Sequence, residues 1–127
     1  MKNISIKTIL LSIALLTYTL QHKAADLLVA SGGAGGAYST LAAAIAAANA
    51  NDRIIVFPQA NGASYAEGTL TITKSLQILS ATEGAYYTID GTINVAPATA
   101  GINLSIVGMR LLTGNIQSTI ASPTGAR

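Results

Sequence analysis

The stretch from residue 38 to residue 58 constrains the fold most, because it predicts a short helix that leads directly into a strand. Apolar residues at the spacing i, i+3, i+4 and i+7 mark one face of a helix, and alanine is the best intrinsic helix former. The four residues with this spacing are Leu41, Ala44, Ile45 and Ala48. A side-chain oxygen of Ser39 or Thr40 can accept from the free amides of the first turn, so the helix is predicted to begin there.

The predicted strand is Ile54–Phe57, and Pro58 closes it. Asn51 and Asp52 stand between helix and strand, where Asn tolerates left-handed backbone and Asp favours turns. All four strand residues are apolar, which is typical of a strand buried on both faces. Because the helix carries mainly small side chains, it can lie close to its neighbours. We therefore predict that it forms a lid over the end of a β core.

The composition indicates one globular domain rather than a disordered chain. The 127 residues are 50% hydrophobic and 9% charged, whereas disordered chains are rich in charge and poor in apolar residues. The net charge of +2 depends on lysines in the first 23 residues; from Asp26 onward four basic residues face five acidic ones, a balance of −1. This balance excludes an electrostatic argument for nucleic acid as a partner. The chain has no cysteine, so disulfides and thiolate chemistry are excluded.

Residues 1–25 are predicted to be a signal peptide. Lys2 and Lys7 give a basic start, and an apolar run follows from Ile9 to Leu20. This run is short for a bilayer span, which needs about 20 apolar residues. The cleavage region is imperfect, since His22 or Lys23 precedes the small residues at 24 and 25. The alternative is an uncleaved N-terminal anchor. Either way, the rest of the chain is predicted to be exported, to the cell surface or outside the cell (extracellular or periplasmic), with no stable membrane span after cleavage.

After Pro58 the pattern changes to short segments of alternating polar and apolar residues, which is typical of strands. Residues 59–68 are predicted to be a loop, and strands are predicted at 69–73, 75–79, 86–89, 92–95 and 103–107. Leu70, Ile93 and Ile116 recur every 23 residues. A second series, Ile54, Leu76 and Leu104, has intervals of 22 and 28.

Repeats of this length without intervening helices favour a solenoid of stacked parallel strands. The alternative is a small antiparallel β-sandwich, which a hairpin turn at Asp90-Gly91 would support. A Gly-rich segment at 31–36 precedes the helix, but the lysine of a phosphate-binding loop is missing. We therefore interpret that segment as a turn.

Several segments in order resemble the start of pectin-lyase-like right-handed parallel β-helix proteins. The segments are GGAYSTL (35–41), the Ala-rich helix, DRIIV (52–56), YAE (65–67), LTITKSL (70–76) and IDG (89–91). The resemblance covers roughly residues 27–112. It implies an all-β solenoid with an N-terminal α-helical cap and a carbohydrate context. It implies no particular activity, because that superfamily includes pectate lyases, pectin methylesterases, polysaccharide hydrolases and non-enzymatic surface proteins.

The polar residues that could form a site each have a structural explanation as well. Glu67 beside Tyr65 could contact substrate or calcium, but an exposed turn carboxylate, or one paired with Lys74, is more common. Asp90 could ligate a metal together with Glu83, although Asp-Gly is turn chemistry in its own right.

Two further pairs and one histidine complete the candidates. Asp52-Arg53 could form a catalytic pair, but a corner between helix and strand explains both residues. One of Tyr86 and Tyr87 must face inward if the segment is a strand, so at most one can stack on a sugar ring. His22, the single histidine, lies at the predicted cleavage site, so a Ser-His-Asp triad is excluded after cleavage.

The sequence thus predicts no catalytic, cofactor-binding or metal-binding residue. Residues 26–127 are predicted to be the capped N-terminal segment of a truncated β-helix domain, because a solenoid normally carries a cap at each end. The predicted function is that of a non-catalytic cap and first coils of a secreted or cell-surface protein that binds polysaccharide or adheres through it. The alternative is the N-terminal fragment of a polysaccharide lyase or carbohydrate esterase whose active site lies beyond residue 127. Self-association through the open C-terminal end is a further expectation.

Overall fold

The computed structural model describes residues 23–96 and 101–119. Residues 1–22, which are most of the predicted signal peptide and include His22, therefore lie outside the described residues, whereas Lys23 to Ala25 are described. The described elements, in chain order, are β1 (Asp26–Val29), α1 (Leu41–Ala47), β2 (Arg53–Val56), β3 (Ser64–Ile72), β4 (Leu76–Ser80), β5 (Tyr87–Val95), β6 (Leu104–Val107), β7 (Met109–Thr113) and β8 (Ile116–Ser118). Short 3-10 segments occur at Ser31–Gly36 and Ala60–Gly62.

These strands form two sheets, and within each sheet all paired strands are parallel. Sheet A has the order β1-β2-β4-β6, and sheet B has the order β3-β5-β7, with β8 paired to the second half of β5. From β2 to β7 the chain therefore visits the two sheets alternately, and each strand pairs with the previous strand of the same sheet. The described part is mostly β, with parallel strands and short helices, as the sequence predicted.

The register confirms one predicted repeat and corrects the other. Leu70 pairs with Ile93 and Ile93 with Ile116, which is the 23-residue series. In sheet A, Leu76 pairs with Leu104 as predicted, but Ile54 pairs with Ile78 instead of Leu76. The connection after β2 is two residues longer than the sequence suggested, and apolar residues two positions apart on a strand cannot be told apart by pattern alone.

The antiparallel sandwich and its hairpin at Asp90-Gly91 are wrong. β5 continues through both residues from Tyr87 to Val95. The register of β5 against β3 shifts between Ala66 and Gly68, so the strand bends here without reversing. The predicted loop at 59–68 is also too long, because β3 begins at Ser64.

The core lies between the sheets and beneath α1. Its fully or nearly buried apolar residues alternate along the strands, as expected when one face of each strand packs inward. They are Val29, Leu41, Ala44, Ile45, Ala48, Ile54, Val56, Tyr65, Leu70, Ile72, Leu76, Ile78, Tyr87, Ile89 and Ile93. The predicted apolar face of the helix is thus confirmed. Among the described residues no helix is long and apolar enough to cross a membrane.

The prediction that β2 is buried on both faces is wrong. Ile54 and Val56 point into the core, but Ile55 is only partly buried and Phe57 is 44% exposed. The described part of the chain places no second layer over the outer face of sheet A. Residues of the two faces are equally apolar here, so the sequence alone could not reveal that one face is uncovered.

Candidate functional site

One end of the paired strands is closed by α1, which packs beside β3, the first strand of sheet B. Thr40 is the N-cap, and its Oγ1 accepts from the amide of Ala43 at 3.2 Å. Glu67, from the middle of β3, accepts from the amides of Leu41 at 2.5 Å and Ala42 at 3.0 Å. Three of the free amides of the first helical turn are therefore satisfied.

The other end of the same helix is held by Lys74. Its Nζ donates to the carbonyl of Ala48 at 2.5 Å. A carboxylate at the N-terminus and an ammonium at the C-terminus both complement the helix dipole. The sequence predicted that Glu67 is an exposed turn carboxylate or pairs with Lys74, but it lies within β3 and binds the start of α1. Its predicted partner was Lys74, whereas the two residues bind opposite ends of α1 instead.

Replacing Glu67 by Gln should loosen α1. Gln keeps one acceptor oxygen but loses the charge and the second acceptor, so we expect a loss of about 1 kcal/mol in the free energy of unfolding. Chemical denaturation measures this loss, and hydrogen exchange should show faster exchange at the amides of Leu41 and Ala42. Glu83→Gln is the matched control, because that carboxylate lies in an exposed loop. Equal effects of the two variants would contradict the capping role.

Asp52 and Arg53 do not form a catalytic pair. Asp52 is 4% exposed, and its two oxygens accept from the amides of Ala25 at 2.8 Å and Asn49 at 2.7 Å. Arg53 points to the opposite side and forms a two-pronged salt bridge with Asp26, at 2.7 and 2.6 Å. The hydrogen bond from Arg53 lowers the pKa of Asp26 below its usual range. The predicted structural corner is therefore confirmed.

Tyr86 and Tyr87 divide as the strand alternation predicted. Tyr87 is fully buried, while Tyr86 is 60% exposed, with the guanidinium of Arg110 at 5.8 Å from its ring centre. Tyr65 is also buried, and its hydroxyl donates to the carbonyl of Phe57 at 2.7 Å. Tyr65 is thus a core residue, and burial raises its pKa.

The hydroxyl of Tyr87 is buried without a hydrogen-bond partner among the described residues. Burial alone raises the pKa of this hydroxyl. Because a buried unsatisfied hydroxyl is unfavourable, Tyr87→Phe should leave stability unchanged or raise it by about 1 kcal/mol. Tyr65→Phe removes a made hydrogen bond and should lower stability by about 1 kcal/mol. Thermal or urea unfolding of both variants measures this difference in sign, and equal losses would contradict it.

The acidic pair Asp90 and Glu83 is not brought together as a metal site. Asp90 lies within β5 and accepts from the hydroxyl of Thr113 on the neighbouring strand. Glu83 lies in the exposed loop between β4 and β5. No group of three or more His, Cys, Asp or Glu that could hold a metal ion occurs among residues 23–96 and 101–119.

A stack of three glycines is the structural feature that the sequence reasoning missed. Gly68 on β3, Gly91 on β5 and Gly114 between β7 and β8 follow one another at 23-residue intervals. A Cβ on Gly91 would lie 2.3 Å from the carbonyl oxygen of Gly68, and a Cβ on Gly114 would lie 2.3 Å from that of Gly91. Each glycine stands two residues before a member of the predicted Leu/Ile series, so the same interval could have found them.

The other end of the two sheets is open among the described residues. Leu76 and Ile78 are 1% exposed, but their partners on β6, Leu104 and Ile106, are only partly buried. In sheet B, Ile93 is 1% exposed and its partner Ile116 is 55% exposed. Inward-facing side chains are therefore buried in the inner strands and partly or largely exposed in the strands at this end.

In comparisons with known proteins, no family model, no curated protein and no solved structure matches this chain.

Proposed function

We propose that this chain forms the non-catalytic N-terminal cap and first coils of a right-handed parallel β-helix domain in an exported protein. One observation carries the proposal: the two ends of the same stack of strands differ. The end beside α1 is closed by a helix whose own termini are bonded to Glu67 and Lys74. The end at β6, β7 and β8 carries half-exposed apolar residues and unpaired strand edges among the described residues.

This asymmetry is expected of a segment that forms the first coils of a β-helix and is followed by further coils. Unpaired edges of parallel strands are templates for further strands, and proteins usually cover them. Repeat proteins gain stability from each neighbouring repeat, and a cap protects the terminal one. The closed end supplies such a cap, and the open end offers the register and apolar residues on which the next coil can form.

The solenoid part of the proposal is supported by the alternation between the two sheets and by intervals of 22 to 28 residues between paired positions. The resemblance to pectin-lyase-like proteins supports the same architecture and a polysaccharide context, in which the protein binds or adheres to polysaccharide. Export rests on the predicted signal peptide at residues 1–25.

The enzymatic alternative finds no support in the described residues. Four of the five carboxylates from Asp26 onward make structural contacts: Asp26 with Arg53, Asp52 with backbone amides, Glu67 with α1 and Asp90 with Thr113. A lyase or esterase active site would have to be formed by residues other than these.

The experiment is to place Asp at an inward-facing position of the open end in the native exported product, after its intact mass has been determined. If a further coil covers this end, Ile116→Asp should lower the unfolding midpoint strongly, because Ile116 is 55% exposed among the described residues and would be buried only beneath that coil. Gln117→Asp is the matched control, since Gln117 is the next residue on the same strand and points to the opposite face. Equal tolerance of both substitutions would show that water covers this end in the native protein, and the proposal would fail.

A further inference from the structure

A row of apolar side chains crosses the outer face of sheet A, which nothing else in the described part of the chain covers. The row is formed by one outward-facing residue from each of the four strands, in continuous register: Leu28, Ile55, Leu79 and Val107. Leu28 is 40% exposed and Val107 is 55% exposed, and Ile55 and Leu79 between them are partly buried. We call these four residues the apolar row.

The register continues one outward position further along the strands. The amide of Phe57 donates to Val29, and that of Ala81 donates to Val56, so Ala30, Phe57 and Ala81 lie side by side. Phe57 is 44% exposed, and Ala81 beside it lines a cleft together with Leu79 and Val107, which we call the notch. On the other side of the apolar row lies a polar row, made of Asp26, Arg53, Gln77 and Ser105.

We propose that the apolar row is the interface of a homodimer, in which a second copy of this chain packs face to face through the same sheet. A contiguous exposed apolar surface marks an interaction site more often than isolated exposed residues do. This surface has no charged residue in its apolar row, so no unpaired charge would be buried when a second apolar face covers it. The inference is independent of the proposed cap, which concerns the two ends of the stack of strands and not the outer face of a sheet.

The two rows select one symmetry axis. A twofold axis parallel to the strands, between β2 and β4, sets each row against itself in reverse strand order. Ile55 then faces Leu79 of the second copy, and Phe57 faces the notch at Ala81. In the polar row, Arg53 faces Gln77, so no like charges oppose one another. Such self-complementarity closes the assembly as a dimer.

The alternative twofold axis, perpendicular to the strands, is unfavourable. With the apolar rows in contact, it would set the polar row of one copy against the row that contains Phe57 in the other. Arg53 and Asp26 would then be covered by apolar side chains, which is costly for charged groups. Charge and size together therefore favour the axis parallel to the strands, which also sets the cleft beside Phe57 against the cleft beside Val107 of the second copy.

The test uses the absence of cysteine from the sequence. With the proposed axis, Leu28 of one copy is displaced sideways by three strand spacings, or about 14 Å, from Leu28 of the other copy, which is too far for a disulfide. The proposed axis brings Leu28 of one copy opposite Val107 of the other. A mixture of the full-length Leu28→Cys and Val107→Cys proteins should therefore give a cross-linked heterodimer on oxidation, while each variant alone should give little covalent dimer.

Sedimentation analysis of the full chain supplies the second readout. We expect the mass to double as concentration rises, and Ile55→Asp to abolish the doubling. Thr71→Asp, an exposed position of sheet B, should leave it unchanged. Gln77→Glu, opposite Arg53 of the second copy, should tighten the dimer, and Gln77→Lys should weaken it. A monomer at every concentration, or equally strong cross-linking of Leu28→Cys alone, would overturn the proposal.

Discussion

Gly91→Ala should be among the most destabilising single substitutions in this chain. The added Cβ would lie 2.3 Å from the carbonyl oxygen of Gly68, and 3.0 Å from its nitrogen. Both atoms belong to the backbone of the paired strand, so no side chain can rotate away. The strands must separate or the bend must be lost, and we expect a loss of at least about 3 kcal/mol in the free energy of unfolding. Urea unfolding with a fitted midpoint and slope measures it.

The control for this prediction is Gly84→Ala. Gly84 also has a positive φ, +74°, but a Cβ there would meet no atom within 4 Å. Its substitution should lower stability by only about 1 to 2 kcal/mol, the strain of a left-handed backbone for an L-residue. The excess loss at Gly91 therefore isolates the close approach of the two strands. Equal losses at both positions would show that backbone strain alone matters, and the stack of glycines would have no role in packing.

The helix could be predicted because it depends on a local pattern, and the series with a 23-residue period because the same interval occurs twice along the chain. Leu41 and Ile45 lie on one face of a helix regardless of the tertiary structure. The interval between Leu70 and Ile93 is read directly from the sequence and does not depend on which turn type connects the strands. The register of sheet A was less predictable. Ile54 could pair with Leu76 or Ile78, since both are apolar and point to the same side.

The contacts that hold the closed end could not be predicted, because they join distant parts of the sequence. Glu67 reaches amides 25 and 26 residues away, and Lys74 reaches a carbonyl 26 residues away. Sequence spacing predicts partners within a helix or a hairpin, and neither applies here. The prediction at Asp90-Gly91 was wrong because it relied on a local turn signal alone. In the structure these two residues lie at a bend within β5 and not in a hairpin.

The outer face of sheet A shows a further limit. The apolar run Ile54–Phe57 correctly indicated two apolar faces, but only one of them is covered by described residues. A sequence pattern records which side chains avoid water and does not record what covers them. The proposed dimer would account for the second face, and it would make the original prediction of two buried faces true of the assembly.

Asp52→Asn should be the second strongly destabilising substitution, because this carboxylate joins three parts of the fold. It is 4% exposed and accepts from the amides of Ala25 and Asn49, so it ties the residue before β1 to the end of α1 and the start of β2. In the Asp52→Asn variant one of the two acceptor oxygens is replaced by an NH₂ group, which faces a backbone N–H and can only donate. A buried donor is then left unsatisfied and a charge-assisted bond is lost, so we expect a loss of about 3 kcal/mol in the free energy of unfolding.

The matched control is Asp26→Asn, which makes the same chemical change in an exposed carboxylate of the salt bridge with Arg53. Exposed ion pairs contribute little, so its unfolding midpoint should shift only slightly. Hydrogen exchange adds a positional test: Asp52→Asn should speed exchange at the amides of Ala25 and Asn49 before the core strands are affected. If both variants shift the midpoint equally, the two buried hydrogen bonds of Asp52 contribute no more to stability than the exposed ion pair of Asp26 does. The corner between α1 and β2 would then be stabilised by the packing of the buried side chains of Ala48 and Ile54 rather than by the carboxylate.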